Sequence, residues 1–115
     1  MTGPRQVPTV TVAELGDPLP ERAVLLDVRE ADEWAAGHAP GALHIPMGEV
    51  PTRLRELPAD SQLYVVCAVG GRSARVTAYL NANGWDALNV EGGMRSWEQH
   101  RRPLVAEGGA APRVL

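Results

Sequence analysis

The sequence predicts an α/β fold in which a mainly parallel sheet is flanked by helices, and three observations lead to it. Two short, almost entirely apolar runs, 23–28 and 63–66, are typical of strands that a parallel sheet buries on both faces. A helical pattern of apolar residues follows the second run. Polar or reactive residues end both runs, and ligands of open parallel sheets bind beyond that end of the strands. We therefore expect a functional site at this edge of the sheet.

Before residue 60 the sequence predicts three strands, a helical turn and two helices. Trp34 is expected to be the core-facing residue of the first helix. Val50, Leu54 and Leu57 fall at helical spacing and indicate the second helix, which a proline ends. The strands are predicted at 9–12, 23–28 and 43–45, the helical turn at 13–15, and the helices at 30–36 and 49–57.

The second half of the chain begins with a fourth strand at 63–66, followed by a loop and a helix. Ser73 is the expected N-cap of this helix, because its hydroxyl can accept from a free N–H group of the first turn. Asn83 and Gly84 should end the helix, since both residues adopt the left-handed conformation readily. The remaining predictions are a fifth strand at 87–90 and a last helix that starts at Gly92 and Gly93 and contains Met94 and Trp97.

The loop after the fourth strand contains Cys67, the only cysteine of the chain, and has the layout of an anion-binding loop for a nucleophile. Loop N–H groups can converge on the sulfur, the positive end of a helix dipole follows, and Arg72 adds a full charge. Such features lower a cysteine pKa from ~8.5 to between roughly 3.5 and 7.5. Gly70 and Gly71 let the N–H groups turn inward, and Ala68 keeps the pocket open. We expect a thiolate near neutral pH.

Cys67 also has a simpler interpretation. A lone cysteine in a small domain is more often a buried, inert side chain than a nucleophile. A core cysteine would lie inside the apolar run, whereas Cys67 ends that run and precedes a loop whose composition serves no packing purpose. Its position favours a catalytic role.

Three segments together resemble the rhodanese (sulfurtransferase) family. Residues 67–72 (CAVGGR), followed by Ser73, are similar to the six-residue active-site loop of that family. Residues 25–46 (LLDVREADEWAAGHAPGALHIP) and 89–97 (NVEGGMRSW) match two further motifs in the expected order. The resemblance spans about residues 9–103. It implies a single rhodanese-like domain of three layers, with a central, mainly parallel sheet of five strands.

The resemblance implies that Cys67 accepts a sulfane sulfur, becomes a persulfide and passes the outer sulfur to a thiol, cyanide or another acceptor. The implied donors are thiosulfate and low-molecular-weight or protein persulfides. Ala68 and Val69 stand where many members have an arginine and a serine, so anion capture would depend more heavily on Arg72. This difference favours a less charged persulfide over thiosulfate. The residues expected to bind the substrate are Ala68, Val69, Gly70, Gly71, Arg72 and Ser73.

Two other classes of function stay open. One is a sulfur-carrier or persulfide-binding module that serves a partner enzyme without turning over by itself. The other is an arsenate reductase or phosphatase, since relatives of this kind have the same fold. Their loops resemble a cysteine followed by five residues and an arginine, whereas four residues separate Cys67 from Arg72 here. The shorter loop suits a sulfur atom better than a tetrahedral phosphoryl group, which places this second class lower.

Asp27, Arg29 and Glu33 have two interpretations. As functional residues, Asp27 and Arg29 would position the loop or an anionic donor. As structural residues, all three would form an ion-paired network that braces neighbouring loops. We favour the structural interpretation, because ion-pair networks also perturb charged groups without taking part in chemistry.

His38 and His44 show no paired ligand spacing with each other or with the cysteine, so we expect no metal site and no cofactor. The resemblance explains His38 as part of a structural turn, and sulfur transfer through a thiolate needs no histidine base. We assign neither histidine a catalytic role.

Composition limits the remaining possibilities. The 115 residues fit one domain, and no apolar run approaches the length of a membrane span. Residues 1–8 have no apolar segment, so we expect no secretory signal and a cytoplasmic location. The net charge of −3 argues against nucleic acid. The resemblance to the rhodanese family implies a small-molecule sulfur donor, a thiol acceptor and a possible protein acceptor as partners. Residues 1–8 and 104–115 are expected to be flexible.

Overall fold

The computed structural model describes residues 7–115. The strands are β1 (Thr9–Thr11), β2 (Ala23–Asp27), β3 (Leu43–His44), β4 (Gln62–Val66) and β5 (Asp86–Glu91). The α-helices are α1 (Ala31–Ala36), α2 (Gly71–Ala82) and α3 (Gly93–Gln99), and 3-10 helices occupy Val12–Glu14, Met47–Thr52, Leu54–Glu56 and Glu107–Gly109. The strands form one sheet in the order β1-β5-β4-β2-β3, and every neighbouring pair is parallel. The predicted α/β fold with a five-stranded parallel sheet is confirmed.

The central strand β4 is buried on both faces, which explains its continuous apolar run. Leu63 and Val65 belong to one apolar cluster, whereas Tyr64 and Val66 belong to a second cluster. Helix α2 contributes to the first cluster and α3 to the second, so the sheet lies between two helical layers. The helix residues in these clusters are Val76 and Leu80 of α2 and Met94 and Trp97 of α3.

The single helix predicted over residues 49–57 is wrong, because the chain forms two short 3-10 helices there, Met47–Thr52 and Leu54–Glu56. Pro51 lies inside the first of them. Proline has no N–H to donate and its ring clashes with the preceding turn, so a continuous α-helix is disfavoured at this position. The apolar pattern still serves the core, since Val50 is buried.

Helix α2 begins earlier than predicted. Its first residue is Gly71 and its N-cap is Gly70, so Ser73 lies in the first turn and the prediction of a Ser73 N-cap is wrong. Gly70 has a φ of 118°, a conformation that residues with a Cβ rarely adopt. This glycine therefore allows the helix to start directly after the loop, and the Ser73 hydroxyl takes other partners.

The segment 104–115, which the sequence predicts to be flexible, makes specific contacts in the structure. Val105 and His38 exchange two backbone hydrogen bonds of 2.9 Å in an antiparallel bridge. The N–H of Arg113 donates to the last turn of α1, and a Cβ at Gly37 would collide with the backbone of Arg113. These contacts are made largely by the backbone, so the composition of the segment does not reveal them.

Residues 1–6 of the predicted flexible segment 1–8 lie outside the described residues. Among residues 7–115, no helix has the length and apolar character needed to cross a membrane.

Candidate active site

Cys67 directly follows β4, at the carboxyl end of the central strand. It is only 1 % exposed. The backbone N–H of Gly70 donates to the Cys67 Sγ at 3.1 Å. The hydroxyl oxygen of Ser73 lies 3.3 Å from the same sulfur. The loop and the first turn of α2 therefore surround the sulfur with hydrogen-bond donors.

These donors determine the ionisation of the thiol. Burial raises the pKa of Cys67, but hydrogen bonds from the hydroxyl and backbone N–H of Ser73 and from the N–H groups of Gly70 and Val69 outweigh burial, and the pKa is lowered from its ordinary value. The same groups that bind a thiolate can bind an anion at this position. A nucleophilic sulfur is thus consistent with the geometry.

Arg72 forms an ion pair with Glu33 of α1. Its guanidinium donates to both carboxylate oxygens of Glu33, at 2.7 and 2.9 Å. The bond from Arg72 outweighs burial and lowers the pKa of Glu33 to about 2, and the same bond raises the pKa of Arg72. Glu33 therefore balances much of the Arg72 charge.

Asp27 and Arg29 form a buried ion pair in which each residue is 0 % exposed. The guanidinium of Arg29 donates to both carboxylate oxygens of Asp27, with a shortest distance of 2.7 Å. Arg29 also donates to the backbone carbonyls of Glu33 and Gly37, at 3.3 and 2.8 Å. This pair joins the end of β2 to α1, so it supports the helix on which Glu33 stands. These contacts favour the structural interpretation of Asp27 and Arg29.

The amino-terminal end of α3 packs directly against the cysteine loop. Met94 donates its N–H to the carbonyl of Cys67 at 2.8 Å, and Arg95 donates to the carbonyl of Ala68 at 3.0 Å. A Cβ at Gly93 would collide with these same two carbonyls, and Gly93 has a φ of +57°. The Gly-Gly segment therefore lies against the loop.

The outer part of the loop is open to solvent. Val69 is 61 % exposed, and Gly71 is also exposed. Ala68 is half-buried beneath them. An apolar side chain thus stands at the entrance to a buried sulfur.

The two histidines support the fold around α1. Trp34 is half-buried and stacks between His38 and His44, with ring centroids 3.6 and 4.7 Å from its own. One ring nitrogen of each histidine lies within 2.8 Å of a backbone carbonyl and must donate to it, because a carbonyl only accepts. Across residues 7–115, no three His, Cys, Asp or Glu side chains gather where they could hold a metal ion.

Asn89 is a site residue that the sequence analysis missed. Its side-chain oxygen accepts a hydrogen bond of 2.6 Å from the Ser73 hydroxyl, and it is only 7 % exposed. The available signal was a polar residue within the apolar run of β5. An amide buried in an interior strand of the sheet needs a hydrogen-bond partner, and here the partner also lies beside the cysteine.

Comparison with known proteins identifies the family. Residues 11–100 match the rhodanese-like domain family, so the chain belongs to that family. A sulfurtransferase of Allochromatium vinosum is 39 % identical over 90 residues, which cover 77 % of this chain and 84 % of that protein. A Bacillus subtilis protein named as a candidate sulfurtransferase is 42 % identical over 83 residues, 72 % of this chain and 81 % of that protein.

A solved structure supports the same assignment. The rhodanese-related protein of Thermoplasma volcanium superposes with a TM-score of 0.81 at 32 % identity, over 87 % of this chain and 99 % of that one. The family and the names of these relatives together support a general function in sulfur transfer.

Proposed function

We propose that the chain is a sulfurtransferase in which Cys67 takes a sulfane sulfur from a donor and holds it as a persulfide until an acceptor removes it. The main support is the position of Cys67 Sγ at the carboxyl end of the central strand, 3.1 Å from the Gly70 N–H. A thiolate at this edge can attack a ligand that binds beyond the strands.

In the first step the Cys67 thiolate attacks the outer sulfur of the donor. A bond forms between Sγ and that sulfur, and the bond to the donor breaks with its electron pair leaving on the donor. The leaving group is sulfite for thiosulfate and a thiolate for a low-molecular-weight persulfide. In the second step an acceptor thiolate or cyanide attacks the outer sulfur, and the electron pair of the Sγ–S bond returns to Cys67. Because the chain has one cysteine, the acceptor is a separate molecule.

The donor we favour is a low-molecular-weight or protein persulfide rather than thiosulfate. Thiosulfate is a dianion, and the arginine that ends the loop, Arg72, is already bound by both oxygens of Glu33. Ala68 and Val69 offer no charge at the entrance. Backbone N–H groups therefore supply most of the anion binding, which suits a donor of lower charge.

A non-turnover sulfur carrier is the second candidate. The 61 % exposure of Val69 above a buried Cys67 is the observation that favours it. An apolar side chain at the entrance could contact a partner protein that receives the sulfur directly. Small acceptors would then react slowly.

Turnover with small substrates tests the proposal. The wild type and Cys67→Ser are each mixed with glutathione persulfide and cyanide, and thiocyanate is followed over many equivalents. We expect continued turnover by the wild type and none by Cys67→Ser, whose far-UV circular dichroism should be unchanged. Substantial activity of the serine variant would contradict the role of Cys67. A single equivalent of transfer without turnover would instead support the carrier.

A further inference from the structure

The hydroxyl of Ser73 stands between two acceptors that need its single proton. Its oxygen lies 2.6 Å from the Asn89 side-chain oxygen and 3.3 Å from the Cys67 sulfur. All three residues are buried, with exposures of 0 % for Ser73, 7 % for Asn89 and 1 % for Cys67. A hydroxyl donates only once, so the proton can serve one acceptor at a time.

Both acceptors lie within hydrogen-bond distance of the Ser73 hydroxyl. The 2.6 Å separation from the Asn89 oxygen is at the short end of the range for O–H···O hydrogen bonds, so Asn89 competes effectively with the sulfur for the proton. The backbone of Asn89 is held by its pairing with Val65 and by a 2.8 Å bond to the carbonyl of Pro8. The Asn89 carbonyl is therefore held in place as an acceptor beside the site.

We infer that Asn89 is a positioning residue that competes with the Cys67 sulfur for the hydroxyl proton of Ser73. When Sγ is a thiolate, the proton turns to the sulfur and leaves Asn89. When Sγ becomes the inner atom of a persulfide, which rests on the proposed function, the negative charge no longer lies on Sγ and the proton returns to Asn89. Ser73 thus has an acceptor at every stage.

Other charged groups near Cys67 are not altered by changes at Asn89. Arg72 on α2 is bound to Glu33 of α1, and Asp27 and Arg29 at the end of β2 are bound to each other. On the remaining elements packed at this edge, Glu91 of β5 and Arg95 of α3 have exposed side chains. A change in Cys67 ionisation in an Asn89 variant would therefore report on the Ser73 hydroxyl.

The test is the pH profile of alkylation by iodoacetamide, which reports only on Cys67 because the chain has one cysteine. Asn89→Leu keeps the branched shape of the side chain but removes the competing acceptor, so the Ser73 proton has only the sulfur to bind. We expect the midpoint of the profile to move to lower pH. At a fixed pH the thiolate-to-thiol ratio should increase about fivefold, which is the net effect of one ordinary hydrogen bond.

Two further variants distinguish an effect on the Ser73 hydroxyl from a general effect of the substitution on the structure. The double variant Ser73→Ala/Asn89→Leu should have the same alkylation midpoint as Ser73→Ala alone, because the hydroxyl for which Asn89 competes is absent from both. Asn81→Leu is the matched control, because the Asn81 amide binds the backbone of Ala87 in β5 and does not contact the cysteine. It should lower stability without moving the midpoint.

An unchanged midpoint in a folded Asn89→Leu variant would overturn the inference, as would equal shifts with and without the Ser73 hydroxyl. If Asn89→Leu does not fold, Asn89→Ala removes the same acceptor without adding a larger apolar group and is held to the same expectation. Alkylation needs no sulfur donor. A shifted midpoint in a chain that accepts no sulfur would therefore contradict the proposed function and still support the role of Asn89.

Discussion

Cys67 obtains its donors from its own loop and from the first turn of the next helix. The Gly70 N–H and the Ser73 hydroxyl lie within 3.3 Å of Sγ. The charge of Arg72 is opposed by Glu33, which binds it through both carboxylate oxygens. At the residue scale, these contacts can stabilise one sulfur anion, and we propose that the capacity for highly charged donors depends on the Arg72–Glu33 pair.

Glu33→Gln should change the choice of donor. The neutral amide cannot hold Arg72 by charge, so more of the Arg72 charge is available to an anionic donor. We expect kcat/KM for thiosulfate to rise relative to kcat/KM for glutathione persulfide, by about twofold to fivefold, as expected for the net effect of one ion pair near a surface. Parallel steady-state measurements with the two donors give this ratio.

Arg72→Ala is the matched variant for this prediction. It should lower kcat/KM for thiosulfate more than kcat/KM for glutathione persulfide, the opposite direction from Glu33→Gln. If either substitution affects both donors equally, the pair does not determine donor choice.

At the scale of elements, α3 determines the shape of the loop through one glycine. Gly93→Ala would place a Cβ against the carbonyls of Cys67 and Ala68, in a backbone conformation that favours glycine. We expect it to lower the free energy of unfolding by about 1–3 kcal/mol, measured by urea denaturation. Gly48→Ala is the control, because Gly48 has no atom within 4 Å of its Cβ position and should change little. Equal effects of the two substitutions would contradict the close approach of α3.

The ion pair between α1 and α2 should make stability depend on acidity. The pKa of Glu33 is lowered from 4.5 to about 2, so the pair contributes fully above pH 4.5 and its contribution is lost as the pH falls through about 2. We expect the difference in free energy of unfolding between the wild type and Glu33→Gln to shrink across this range. Urea denaturation at several pH values measures it, and a difference independent of pH would refute the pair's contribution.

The elements show what the sequence could predict and what it could not. The apolar run of β4 and the position of Cys67 after it follow from local patterns, because burial on both faces leaves a continuous signal. Local patterns do not predict the start of α2 or the partner of Arg72. The start of α2 depends on the left-handed conformation of Gly70, and the partner of Arg72 is Glu33, which lies 39 positions away along the chain. Asn89 was missed for the same reason, since its partner Ser73 is on another element.

At the scale of the whole molecule, the parallel sheet brings distant segments to one edge. The strands β2, β4 and β5 are neighbours in the sheet, so the residues that follow or end them meet around Cys67. The chain then continues past α3 and returns to α1 through the bridge between Val105 and His38. The carboxyl-terminal segment thus supports the helix that holds Glu33 against Arg72.

The mass of the intact protein shows directly whether Cys67 becomes a persulfide. The protein is incubated with thiosulfate or with glutathione persulfide and then separated from the donor. Its intact mass is measured by mass spectrometry, and again after treatment with cyanide. We expect a gain of one sulfur atom on the wild type, larger in yield with the persulfide, absent in Cys67→Ser and removed by cyanide. No gain with either donor, or an equal gain on Cys67→Ser, would contradict a persulfide on Cys67.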